Sequence, residues 1–146
     1  MINHEQLIEF WKNDCKFDNT KLAEELYRQP LLHAKYLEIL QGYKISLRKN
    51  LLNYDRIKST KTRYFNGEMS KEELDEHGWS QYKFNKPMKS QLETLIDADP
   101  DIQTISERIE YLKILIDTTE SIMKEIHSRG FLLKTIFENR KFESGI

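Results

Sequence analysis

The stretch PDIQTISERIEYLKILIDTTESIMKEIHSRGFLLKTIFENRK, residues 100–141, decides the fold. In it Ile102, Ile105, Ile109, Leu112, Ile116, Thr119, Met123, Ile126, Leu133 and Phe137 recur at alternating spacings of three and four. Gly130 fills the seam position left over. Apolar residues at that period line one face of an α-helix, and several heptads in a row ask for a partner helix. Asp99 as N-cap, Pro100 at the first helical position and Asp101 in the first turn mark the start. The phase does not change across Gly130, so the spacing predicts one helix over 100–141, roughly 60 Å long at the usual rise. A glycine inside a helix costs about 1 kcal/mol relative to alanine. Close approach of a neighbouring backbone would account for it; a break there, with Gly130 as C-cap, is the alternative.

Upstream, Tyr36, Leu40, Tyr43, Leu47, Tyr54, Ile57 and Tyr64 form a second seam, with Asn50 and Lys61 in its two remaining positions. It predicts a helix from Leu31 to Asn66, stopped by Gly67. A proline inside a helix costs roughly 3 kcal/mol. A break or kink is therefore expected at Gln29–Pro30, separating this helix from a shorter one starting near Thr20. Asn3 is a plausible cap for a first helix from His4 to about Asn13. Ser70-Lys71-Glu72-Glu73 reads as a capping box for a short helix ended by Gly78. Met88 to Ile96 reads as another short helix, packing Met88, Leu92, Leu95 and Ile96. The fold class is all-α.

A seam this long must be covered by another helix, either in the same chain or in another copy. Leu115, Ile122, Leu132 and Ile136 widen the stripe of the 100–141 helix, which favours an oligomer; an antiparallel hairpin of the two long helices in a monomer is the simpler alternative.

The 146 residues carry a net charge of −1, but the charge is segregated. From Lys35 to Arg63 there are eight bases (Lys35, Lys44, Arg48, Lys49, Arg56, Lys58, Lys61, Arg63) against Glu38 and Asp55, a local balance of +6. Such blocks suit nucleic acid. Arg56, Lys58, Lys61 and Arg63 run directly into Tyr64 and Phe65, and single strands need both cations for phosphates and rings for bases. Lys83, Lys86 and Lys89, among Trp79, Tyr82 and Phe84, repeat the pattern more weakly. The competing reading is a solvated helix face with core aromatics. It would leave a helical scaffold or regulatory coiled coil with no nucleic-acid role.

Enzyme signatures are not found: there is no glycine-rich phosphate loop and no serine elbow. His4, His33, His77 and His127 lack metal-ligand spacing, so they read as surface or satisfied side chains. Asp97, Asp99 and Asp101 alternate like a calcium loop, but Pro100 interrupts it and a helix N-terminus explains them better. No metal or cofactor is expected. Cys15 alone precludes an intrachain disulfide. Neither a signal peptide nor a membrane span is expected.

Ser128-Arg129-Gly130-Phe131, Lys134, Ile136, Arg140 and Phe142-Glu143-Ser144-Gly145 resemble the C-terminus of the UvsY family, recombination mediators of T4-like bacteriophages. Asp18-Asn19-Thr20-Lys21-Leu22, Lys35-Tyr36-Leu37, Tyr64-Phe65-Asn66-Gly67, Met88-Lys89 and Ala98-Asp99 extend the similarity over nearly the whole chain. The resemblance implies a non-enzymatic protein that binds single-stranded DNA and forms a homo-oligomeric helical ring or bundle, hexameric or heptameric. It implies two protein partners, a RecA-like phage recombinase and the phage single-stranded-DNA-binding protein, met in the cytoplasm of an infected bacterial host. Its DNA-binding segment matches Lys58, Lys61, Arg63, Tyr64 and Phe65; joined to the charge pattern, this gives a basic and aromatic DNA-binding part at 31–89 of a single domain, 1–146, with Arg56, Lys58, Lys61, Arg63, Tyr64, Phe65, Lys83, Lys86 and Lys89 as candidate contacts. The C-terminal helix, 100–142, becomes the oligomerisation element through Ile109, Leu112, Ile116, Met123, Ile126, Gly130, Phe131, Leu133 and Phe137.

Overall fold

The computed structural model describes residues 1–145. Five helices follow in order: α1 (His4–Asp14), α2 (Leu22–Phe65), α3 (Lys71–His77), α4 (Lys89–Asp97) and α5 (Pro100–Glu143). No strand occurs among the described residues, and no helix among them is long and apolar enough to cross a membrane. The long C-terminal helix passes unbroken through Gly130. A Cβ built on Gly130 meets nothing within 4 Å, so no neighbouring backbone in this chain requires the glycine.

The expected break at Gln29–Pro30 is not found, because α2 begins at Leu22 and continues through Pro30. Pro30 cannot donate to the carbonyl of Leu26, one turn back. Two features accommodate it. The ring lies on the exposed side of the helix, and the Gln29 side-chain amide donates to the Glu25 carbonyl at 3.1 Å, adding a bond beside the missing one. Packing of Leu22, Leu32 and Tyr36 then holds both sides of the proline to one axis. Tertiary burial outweighs the local penalty.

The helices fall into two compact units: Met1–Ser46 with Leu112–Ile146, and Leu47–Tyr111. Each uses part of both long helices where the sequence reads as a single domain. In the first, α1 and the start of α2 pack on the C-terminal part of α5. Leu7, Tyr36, Tyr43, Leu112, Leu115 and Thr119 are fully enclosed. Each enclosed leucine stabilises the unit by roughly 1.5–3 kcal/mol. The two tyrosines are satisfied: Tyr36 donates to Asp14 at 2.8 Å and Tyr43 to the Ile2 carbonyl at 3.0 Å. Burial, then the Asp14 hydrogen bond, pushes the Tyr36 phenol well above its ordinary value. Its neutral form therefore stabilises the fold up to the ordinary tyrosine range and loses that contribution as pH rises further.

Three arginines tie down the α1–α2 connection. Arg28 donates to the carbonyls of Asp14 and Lys16, Arg129 to that of Cys15, and Arg140 to that of Asn19. The last carbonyls of a helix lack intrahelical partners, and cations complete them well. Arg129 also lies over Trp11, 5.4 Å from the ring centre.

The two sequence seams are the buried faces. Ile109 is enclosed in the second unit, and Leu112, Ile116, Ile126 and Leu133 in the first. The five were expected between copies, but this chain's own helices already cover them. Within each unit, the part of α5 that belongs to it packs against the corresponding part of α2. Phe131, Leu132 and Phe137 keep much of their surface, at 64%, 56% and 42% exposure.

Replacing Pro30 with Ala should stabilise the protein by about 1–3 kcal/mol, since helix propensity and one ladder bond are both restored. Thermal denaturation followed at 222 nm would show a raised midpoint. An unchanged or lowered midpoint would mean that Gln29 already compensates fully.

Candidate nucleic-acid interface

The second unit holds the basic and aromatic residues singled out by sequence, and it separates them into two groups. Lys61 lies on the buried face of α2, one heptad after Tyr54. It is 8% exposed, with its ammonium 3.1 Å from Asp99 and 3.0 Å from Asp101. The indole of Trp79 closes over it at 4.2 Å. Burial opposes its charge, but the two carboxylates outweigh that and hold its proton more firmly than in a free lysine. Lys61 is a structural cation and has no open side for a phosphate. Arg63 is engaged as well, 2.7 Å from Glu73. The capping box at Ser70 is consequently half formed: Ser70 accepts from the Glu73 backbone at 3.2 Å, while the Glu73 carboxylate turns to Arg63.

Tyr64 and Phe65 are half-buried in a ribbon of rings. Tyr64 meets Phe65, Trp79 and Tyr82 at centroid distances of 5.3, 5.3 and 6.0 Å, all edge-on, and donates its hydroxyl to the Ser80 carbonyl at 2.7 Å. These rings plug the space between α2 and the 79–84 segment. The ribbon emerges at one end as Phe84, 76% exposed and 5.4 Å from Tyr82. At the other end His77 stacks on Trp79 at 4.4 Å, nearly parallel. Met88, expected to pack inward, is instead the exposed N-cap of α4.

The remaining bases form the second group. Arg56, Lys58, Lys83, Lys86 and Lys89 are exposed, and among the described residues their side chains have no carboxylate partner. Arg56 borders a cleft of about 510 Å³ between α2 and the start of α5. Ile57, Ile105, His77 and Trp79 also line it, and Arg108 borders it from α5. Arg108 and His77 were not singled out as contacts. Arg108 follows Asp101 by seven residues and Thr104 by four, the helical spacing that puts it on the cleft side of α5. No sequence signal reveals the stacking of His77, which depends on the left-handed turn at Gly78.

Asp99 and Asp101 have structural roles. Asp99 accepts from the backbone N–H groups of Asp101 and Ile102 at 2.9 and 3.3 Å, capping α5 while holding Lys61. Removing the ammonium leaves a carboxylate buried and uncompensated, which costs about 3–5 kcal/mol. Lys61→Met should therefore lower the unfolding free energy by about that amount in urea melts. A loss below about 1 kcal/mol would mean Asp99 finds another donor.

The family described as "Recombination, repair and ssDNA binding protein UvsY" matches residues 10–146. The recombination protein uvsY of Enterobacteria phage T4 is 30% identical over 145 residues, covering 97% of both chains. Two crystal structures of the bacteriophage T4 recombination mediator protein UvsY share the fold. The lattice type II form has a TM-score of 0.84 at 26% identity, over 99% of each chain. The lattice type I form has a TM-score of 0.81 at 27% identity, over 94% of this chain and 98% of that one. Sequence and helical architecture agree along nearly the full length, and the chain belongs to the UvsY family.

Proposed function

We propose that the second unit binds single-stranded DNA through its unpaired bases, and that several copies assemble into a ring that presents these sites together. The observation that carries this is the exposure of Arg56, Lys58, Lys83, Lys86 and Lys89 without acidic partners, beside a ribbon of rings that surfaces at Phe84 and His77. Phosphate contacts supply sequence-independent affinity, and aromatic faces accept any base. That chemistry suits a protein that must act on every strand.

Assembly rests on the apolar surface this chain leaves uncovered. Phe131 and Phe137 stay exposed, Met123 and Gly130 are half-exposed, and Gly130 has open space beside it into which a second copy fits. A hexamer or heptamer would repeat the DNA site, and linked sites gain roughly 10²–10⁴-fold in avidity without new contacts. A strand held across several copies is bent or extended. That loosens the phage single-stranded-DNA-binding protein and leaves an arranged strand for a RecA-like recombinase, in the cytoplasm of the infected host. No step of this needs a catalytic residue or a cofactor.

Two experiments test the reading. Arg56→Ala with Lys58→Ala should weaken oligo-dT binding and reduce the slope of log affinity against log salt by about 1.4, at ~0.7 per phosphate contact. Fluorescence anisotropy at several salt concentrations measures both, and unchanged binding would leave the scaffold reading. Phe131→Glu should reduce the sedimenting mass to that of a single chain and cost about 10²-fold in affinity for a long strand. An intact oligomer would move the interface elsewhere.

A further inference from the structure

We propose that the cleft between α2 and α5 in the second unit takes one unstacked nucleobase of a single strand, while Arg56 and Arg108 hold the adjoining phosphates. This rests on the reading that the second unit binds the strand, and it names where a base goes. At about 510 Å³ the cleft is of a size that holds small organic ligands. Part of its lining is apolar, from Ile57 and the buried Ile105.

Charge placement selects the occupant. Inside, Lys61 is matched by Asp99 and Asp101, a group with a net charge of −1. Arg56 and Arg108 contribute two positive charges from the exposed edges. A phosphate pushed into the cleft would meet the Asp101 carboxylate. A neutral base inside with phosphates outside matches the pattern. The Thr60 and Thr104 hydroxyls donate to their own helix carbonyls, at 3.0 and 2.9 Å, so they face the cleft as acceptors. They are suited to the N–H edges of a base, not to a phosphate oxygen.

The stacking surface is specific as well. Trp79 is covered by the Lys61 ammonium and the His77 ring, so its indole cannot receive a base directly. His77 is exposed and lines the cleft, and it offers the remaining aromatic face. Trp79 acts as a backing that fixes the imidazole plane.

The test compares oligo-dT with a strand of equal length made of abasic sites, by anisotropy with the full chain. The unsubstituted protein should prefer dT by about tenfold or more, the range of one stacked base. His77→Ala should reduce that preference by about fivefold or more and leave the abasic affinity unchanged; His77→Phe should retain it. Arg108→Ala should weaken both strands and reduce the salt slope by about 0.7. Equal binding of both strands by the unsubstituted protein overturns the base pocket but not the phosphate contacts. A preference undiminished by His77→Ala puts the base elsewhere, as on Phe84, and also overturns it. Failure to bind either strand rejects the pocket together with the DNA-binding reading. Circular dichroism of each variant separates a lost contact from a lost fold.

Discussion

The second unit is organised around one ammonium group. Lys61 and Asp99 are the charged residues buried in it, and they are buried against each other. Enclosing charge costs solvation that the pair's attraction repays only in good geometry, so such a pair is better at fixing an arrangement than at adding stability. Here the geometry is over-determined. Asp99 caps α5 with one oxygen and holds Lys61 with the other, Asp101 gives a second carboxylate from the first turn, and Trp79 closes the remaining side. The start of α5, the last turns of α2 and the segment after α3 are thereby joined at one point. Arg56 and Thr60 precede Lys61 on α2, while Thr104 and Arg108 follow Asp101 on α5. The two sides of the cleft are set by the same contact.

This arrangement changes how the basic block should be counted. Its balance of +6 treats every cation as equal. In the fold Lys35 is bound to Asp14, Lys44 lies near Glu120, Lys61 is enclosed and Arg63 faces Glu73. What remains for an outside anion is a smaller set that includes Arg56 and Lys58. Outside the block, Arg28, Arg129 and Arg140 are also engaged, on backbone carbonyls at the end of α1 and in the loop after it. A cation already holding an internal partner exchanges one favourable contact for another when it meets a phosphate, so it adds little net affinity. On the proposed reading, the exposed, unpaired bases would carry most of the electrostatic attraction.

Both long helices were legible because their heptads are regular, and the cap at Asp99 could be read to the residue. Pro30 misled because the breaker rule weighs one local penalty, whereas burial on both sides of the proline is a sum over many contacts. The partner of the seam was not legible: the same repeat pairs equally well with a helix of its own chain or of another, and which seam residues the chain itself buries is seen only in the fold. Lys61 is the instructive case. Its place on the apolar seam marked it as buried, while its neighbours marked it as part of a phosphate-binding cluster, and seam position was the stronger sign. A lysine at an inward position must bring its own counter-charge, and Asp99-Pro100-Asp101 stood in the sequence as a helix start without showing what it faced. Arg108 and His77 have no local signature, since the cleft they border exists only after two distant helices meet.

The distribution of charge between inside and edge also bears on release. The proposed site, with its cations at the exposed edges of a cleft whose interior is slightly negative, would attract a strand without closing around it. Such contacts weaken steeply with salt and form and break individually. In the proposed assembly, repetition across copies would supply retention, because several weak sites on one assembly hold a long strand while any one of them lets go. A deep, fully cationic pocket would hold its nucleotide through the exchange of one protein for another on the strand. An open cleft with its cations at the edge would keep each contact reversible, the property that the proposed transfer of a strand from one protein to the next requires.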